Sequence, residues 1–241
     1  MNVTVTYLDN SGFAVEWADR CLLFDYYNPS PRGGSFSDGV VRTEDIKDKH
    51  TTVFVSHSHY DHYNREIFDL EKAVPQIRYV LSDDIRQRPT ENRLLVAPGR
   101  EYQWDGMSIR TLRSTDLGVA YLIQVDGMTI YHAGDLNWWH WIGEPEEDNR
   151  RMAENYLREI GRLPKGAIDL AFVPADPRQE HNYLLGLQAF MEKASARYVI
   201  PMHFGARTEV FQWLREDPRT EGYRSRIVEL SRRGQCVQLD L

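Results

Sequence analysis

The sequence predicts an α/β (α+β) protein: two β-sheets packed face to face with helices outside, in one domain covering residues 1–241. Three observations carry this reading. Short apolar runs, alternating or β-branched, recur along the chain and are bounded by Gly, Pro, Asn or Asp. Each half opens with a meander of such runs and continues with strand–helix units, the pattern of layered sheets covered by helices. With 241 residues, 41% hydrophobic and 27% charged, the chain has the composition of an ordinary globular protein.

Residues 3–8 alternate and read as a strand, and Asp9-Asn10-Ser11-Gly12 is a turn signal. Residues 13–17 and 21–24 continue the meander, which ends at Asp25. Residues 26–50 carry three glycines and two prolines and read as one long loop, of the kind that often serves binding. Thr51 to Val55 is a β-branched, buried-type strand. A helical pattern follows, with Ile67, Leu70 and Val74 on one face.

Strands are expected at 78–82, 94–97, 101–104, 107–112 and 119–125. Asp126-Gly127 is a hairpin turn that returns the chain through 128–132. Residues 146–163 form a helical pattern, acidic at the start and basic later, as the helix dipole favours. Strands at 169–173 and 197–200 alternate with helices at 183–194 and 208–214. Residues 227–230 and 235–239 read as closing strands.

Composition excludes several classes. A net charge of −7 argues against a broad nucleic-acid surface, though not against a small anionic substrate. No apolar run is long enough to span a bilayer, and the N-terminus lacks the pattern of a signal peptide, so the cytoplasm is the expected location. Cys21 and Cys236 form no disulfide framework; both fall in strand-like runs and are expected to be buried packing residues.

The chemistry concentrates in His57-Ser58-His59-Tyr60-Asp61-His62, directly after the buried strand. Imidazole and carboxylate are ligands that zinc, iron and manganese accept, and four such groups on a short loop suffice for more than one ion. Other strand-like runs end in ligand-type groups: Asp135 after 128–132, His203 after 197–200, and the segment around Asp116 after 107–112. Asp25 also stands at a strand end, where a plain turn former is the simpler reading.

Trp138-Trp139-His140-Trp141 offers either an aromatic wall for a substrate, or a loop plug or a contact between copies of the chain, so a homo-oligomer is one expectation. Arg178 suits a carboxylate or phosphate, with a surface ion pair as its ordinary alternative; His181 and His140 are rim candidates.

His57-Ser58-His59-Tyr60-Asp61-His62 resembles the signature of the metallo-β-lactamase-fold hydrolases. Ser114-Thr115-Asp116, His132 to Asn137 and Pro201-Met202-His203-Phe204 resemble the L-ascorbate-6-phosphate lactonase-like branch. The resemblance covers nearly the whole chain. It implies a four-layer αββα sandwich of two mixed sheets and one or two divalent ions, zinc first, with manganese or iron also accepted by these ligands. His57 and His59 would hold one ion, Asp61, His62 and His203 the other, and Asp135 would bridge them. Asp25 would orient the site.

The usual last histidine of the first ion is absent from Arg113-Ser114-Thr115-Asp116-Leu117-Gly118. Asp116 is the candidate replacement, with Thr115 beside it. Asn10 also stands where many relatives carry histidine. The implied function is hydrolysis of an ester, lactone or phosphoester of a small metabolite, with Asp61 and Asp135 as the catalytic carboxylates. The competing reading is a metal- or ligand-binding protein whose first site is degraded. A nuclease is disfavoured by charge, and diiron redox chemistry by the lack of a flavin domain.

Overall fold

The structure, a computed structural model, describes residues 1–241 as two compact units, Met1–Ala97 with Leu230–Leu241, and Pro98–Glu229. In the first unit, β1 (Asn2–Asp9), β2 (Gly12–Trp17) and β3 (Arg20–Phe24) form an antiparallel meander. The chain then passes a four-residue helix, α1 (Thr43–Ile46). It adds β4 (His50–Val55), β5 (Arg78–Ser82) and β6 (Arg93–Val96), each parallel to its predecessor.

The second unit repeats this plan. β7 (Glu101–Trp104), β8 (Met107–Arg113), β9 (Val119–Val125) and β10 (Met128–His132) form the meander. After the helix α2 (Glu146–Ile160), the strand β11 (Leu170–Pro174) pairs parallel with β10. Beyond α3 (Leu185–Lys193), β12 (Tyr198–Met202) pairs parallel with β11, and α4 (Glu209–Glu216) follows. The final strand, β13 (Cys236–Asp240), returns to the first unit and lies antiparallel to β1.

The result is two mixed sheets with helices, in the orders β13-β1-β2-β3-β4-β5-β6 and β12-β11-β10-β9-β8-β7. No helix is long and apolar enough to cross a membrane.

Each unit has its own core. In the first, Leu23, Val53, Val55, Tyr79 and Leu81 pack under Ile67, Leu70 and Val74. In the second, Tyr131 of β10 stacks on Phe190 of α3 with centroids 5.1 Å apart. The Tyr156 hydroxyl of α2 donates to the Gly186 carbonyl at 2.7 Å, tying α2 to α3.

Four expectations are corrected. The helical pattern after the histidine motif forms a 3-10 helix, Arg65–Lys72, capped by the Asn64 side chain. The long loop at 26–50 contains α1 and a 3-10 turn, Phe36–Asp38. Residues 227–230 form no strand: Ile227 makes a single bridge to Val199, too short a run for a ladder. Cys236 is exposed, because β13 is an edge strand with alternate residues turned to solvent; Cys21 is buried as expected.

Candidate metal centre

In both sheets the chemistry collects at the carboxyl ends of parallel strands, where ligands gather in α/β architectures. In the first unit these ends carry Asp25 after β3, the histidine motif after β4, and Asp84 after β5. In the second they carry Asp135 after β10, Asp176 after β11 and His203 after β12.

The first unit orients its histidines through one buried carboxylate. Asp25 is 1% exposed and accepts from Ser56 N, Ser56 Oγ and His62 Nδ1, each at 2.7 Å. A carboxylate only accepts, so His62 carries its proton on Nδ1 and presents Nε2 as a lone pair. The Ser56 hydroxyl uses its one hydrogen to donate to Asp25, so it accepts from His57 Nδ1 at 2.9 Å. His57 therefore also presents Nε2, which lies 3.0 Å from His59 Nδ1. The Asp61 carboxylate receives Asn10 Nδ2 at 3.1 Å and stands 4.0 Å from His62 Nε2. Asp84 holds the motif's backbone by accepting Ser58 N at 2.8 Å.

The second unit builds the same device from different residues. Asp176, 1% exposed, accepts from His203 Nδ1 at 3.1 Å. Arg178 grips the same carboxylate through Nε at 2.8 Å and Nη2 at 2.5 Å. Burial alone would push the Asp176 carboxyl up, but the hydrogen bonds from His203 and Arg178 outweigh it and hold the group below the usual range. His203 thus directs Nε2 at Asp135 Oδ1, 3.4 Å away.

The loop after β10 is clipped by Thr115, whose hydroxyl donates to the carbonyls of Asn137 (2.7 Å) and Asp135 (3.2 Å). Asp116 is exposed, and one of its carboxylate oxygens lies within 4.8 Å of one from Asp135.

Backbone strain marks the same places. Of eight non-glycine residues with positive φ, three are Asn10 (45°), Asp25 (42°) and His203 (65°). A left-handed turn at a strand end is how the chain throws these side chains sideways, at a cost of about 1–3 kcal/mol each.

A cavity of about 230 Å³ in the second unit is lined by Thr115, Asp116, Asp135, Trp139, Trp141, Met152, Arg178 and His203. Trp139 and Trp141 stack at 5.8 Å, and Trp139 meets the His203 ring edge-on. Asn149 of α2 pins Trp141 by bonding both its N–H and its carbonyl at 3.0 Å.

Of the residues expected to touch substrate, Arg178 lines this cavity, whereas Trp138 and His140 do not. His181 is exposed, and its carbonyl accepts from Arg219. Sequence reasoning overlooked Asp176, Asp84 and Asn149. Asp176 carries the same signal that singled out Asp25, a carboxylate at the end of an apolar strand.

The donors fit a divalent cation. A bare Nε2 facing a carboxylate oxygen at 3.4 Å, and two ring nitrogens 3.0 Å apart, are spacings that ligands of one ion adopt at about 2.0–2.2 Å from it. Histidines fixed through Nδ1 by carboxylates are likewise the usual support of metal ligands.

Residues 4–140 match the model of a family described as "Beta-lactamase superfamily domain". The chain is 26% identical, over 84% of its length and 83% of the relative's, to a UPF0173 metal-dependent hydrolase of Korarchaeum cryptofilum. It is 25% identical, over 95% and 93%, to one of Pyrobaculum islandicum. Among solved structures it is similar in fold to Igni18, a metallo hydrolase from Ignicoccus hospitalis, with TM-score 0.66, 19% identity and full coverage of both chains.

Proposed function

The chain belongs to the β-lactamase superfamily of metallo-β-lactamase-fold hydrolases, and on that premise we propose that its two units act as one domain, a metal-dependent hydrolase of small-molecule esters, lactones or phosphoesters. His57, His59, Asp116 and Asp135 would hold one ion, and Asp61, His62, His203 and Asp135 the other. A bound divalent ion supplies a hydroxide equivalent at neutral pH, by lowering the pKa of water toward ~7, and polarises the substrate oxygen. Zinc suits this mixed nitrogen and oxygen set best; manganese and iron also accept it.

The chain's own groups do the rest. Asp25 fixes the tautomers of His62 and, through Ser56, of His57, and Asp176 that of His203, so that these three offer Nε2 and not Nδ1. Asn10 holds Asp61 in place, and Asp61 is the carboxylate that takes the proton as the attacking oxygen is generated. The stacked Trp139 and Trp141 give the substrate's apolar portion a dry wall beside Asp135 and His203. The lactonase-like branch belongs to this proposal as the source of its lactone option.

The observation that carries the reading is the paired tautomer lock: in each unit, a buried strand-end carboxylate turns a histidine's Nε2 toward other acceptors. Elemental analysis of protein purified without chelators tests it. Near two ions per chain is the expected result. One ion or fewer transfers weight to the binding protein with a degraded first site. Asp135→Ala is expected to lose most bound metal; retention of two ions in that variant overturns the assignment. If Asp116→Ala leaves metal affinity unchanged, Asp116 is not the substitute for the missing histidine.

A further inference from the structure

A second recess, of about 450 Å³, lies in the first unit beside the histidine motif. Ser58, Tyr63, Arg65, Asp84, Ile85, Arg86 and Gln87 line it. It is within the range of small-molecule sites, roughly 300–1,000 Å³. We propose that this recess is a binding subsite for the anionic end of the substrate, a carboxylate or phosphate held by Arg65 and Arg86. The proposal rests on the hydrolase reading above and names its substrate class.

The charge arrangement supports it. Three other arginines of this unit are held in ion pairs: Arg32 with Glu66 at 2.7 Å, Arg42 with Asp45 at 2.7 Å and Arg93 with Glu71 at 2.6 Å. Arg65 and Arg86 are exposed and make no ion pair or side-chain hydrogen bond. The one carboxylate in the lining, Asp84, turns Oδ2 onto Ser58 N at 2.8 Å, and its Oδ1 is shielded from solvent. The recess is therefore lined by two arginines without an ionic partner and by one carboxylate turned onto the backbone.

Its other polar lining is the Ser58 and Tyr63 hydroxyls and Gln87, whose side chain already engages Tyr63 and Arg93. Guanidinium forks match the geometry of both carboxylate and phosphate. Position adds the second argument. Ser58, in the lining, stands between His57 and His59 in the chain, so the recess adjoins the segment that carries the candidate ligands. A −7 protein gains from placing two unpaired cations there, because the rest of the surface repels an anionic substrate.

The test uses metal-loaded protein and two probes, inorganic phosphate and phenyl phosphate, with binding followed by calorimetry. Arg65→Gln and Arg86→Gln are each expected to weaken both probes about tenfold or more, the scale of a charge-assisted hydrogen bond. Asp135→Ala, with its metal depleted, should retain phosphate binding, and its melting temperature shows whether it is folded. Phosphate binding that survives both arginine changes but disappears in Asp135→Ala places the anion on the ions and overturns the subsite, while leaving the hydrolase reading intact. Unchanged metal content in Asp135→Ala, with phosphate still lost from the arginine variants, does the reverse. If inorganic phosphate binds and phenyl phosphate does not, the recess takes a free anion and the substrate assignment fails. No phosphate binding by the unaltered protein also sinks it.

Discussion

A single ion pair decides what Arg178 does. Its guanidinium lines the aromatic cavity, which is the position of an anion-binding residue. Yet its Nε and Nη2 both engage Asp176, and Asp176 in turn orients His203. Arg178 is therefore a positioning residue acting through two others. Arg178→Gln and Asp176→Asn are each expected to lower metal affinity about 10–100-fold, the usual cost of losing an outer partner of a ligand. Competition with a chelating dye measures this; unchanged affinity in both variants would refute the relay. The histidine motif was legible in the sequence because its donors are local. The Asp176–His203 pair was not, since the partners are 27 residues apart and meet only because β11 and β12 lie in parallel.

At the scale of elements, the parallel additions to each meander matter more than the helices. They bring consecutive carboxyl ends side by side, so each oriented histidine borrows its carboxylate from the neighbouring strand. The strands were legible because burial enforces period-two and β-branched patterns. The 3-10 helix Arg65–Lys72 was read only as helical, because its buried Ile67 and Leu70 also satisfy the α spacing.

The loop after β10 depends on a close approach from α3. A Cβ on Gly186 would stand 1.8 Å from Asn137 Oδ1 and 3.2 Å from Trp138 N. Gly186→Ala is expected to destabilise the fold by ~1–3 kcal/mol, as overpacking does, and to release metal by displacing the loop that carries Asp135. A Gly186→Ala protein with native melting temperature and metal content would show that this loop yields freely.

For the molecule as a whole, acid stability draws partly on pairs remote from the centre. Arg219 donates to Asp217 and, with its backbone N–H, holds that carboxyl below its ordinary value. A depressed folded pKa adds stability that is present above the unfolded value, ~3.9, and is lost as pH falls through the lower folded one. Asp217→Asn should therefore be less stable than the unaltered chain at pH 6, and the gap between their urea midpoints should narrow by pH 3. A gap that is constant across this range would assign the pair no role.

The two cysteines complete the picture at this scale. Cys236 faces solvent on an edge strand, whereas Cys21 is fully buried and its thiol is pushed strongly upward by burial. A thiol reagent should label one sulfur in seconds and leave the other silent until the first unit opens. The slow phase of that labelling is a built-in clock for unfolding, and any bound ion or ligand that slows it reports its own stabilisation of the native state without a substrate ever being known.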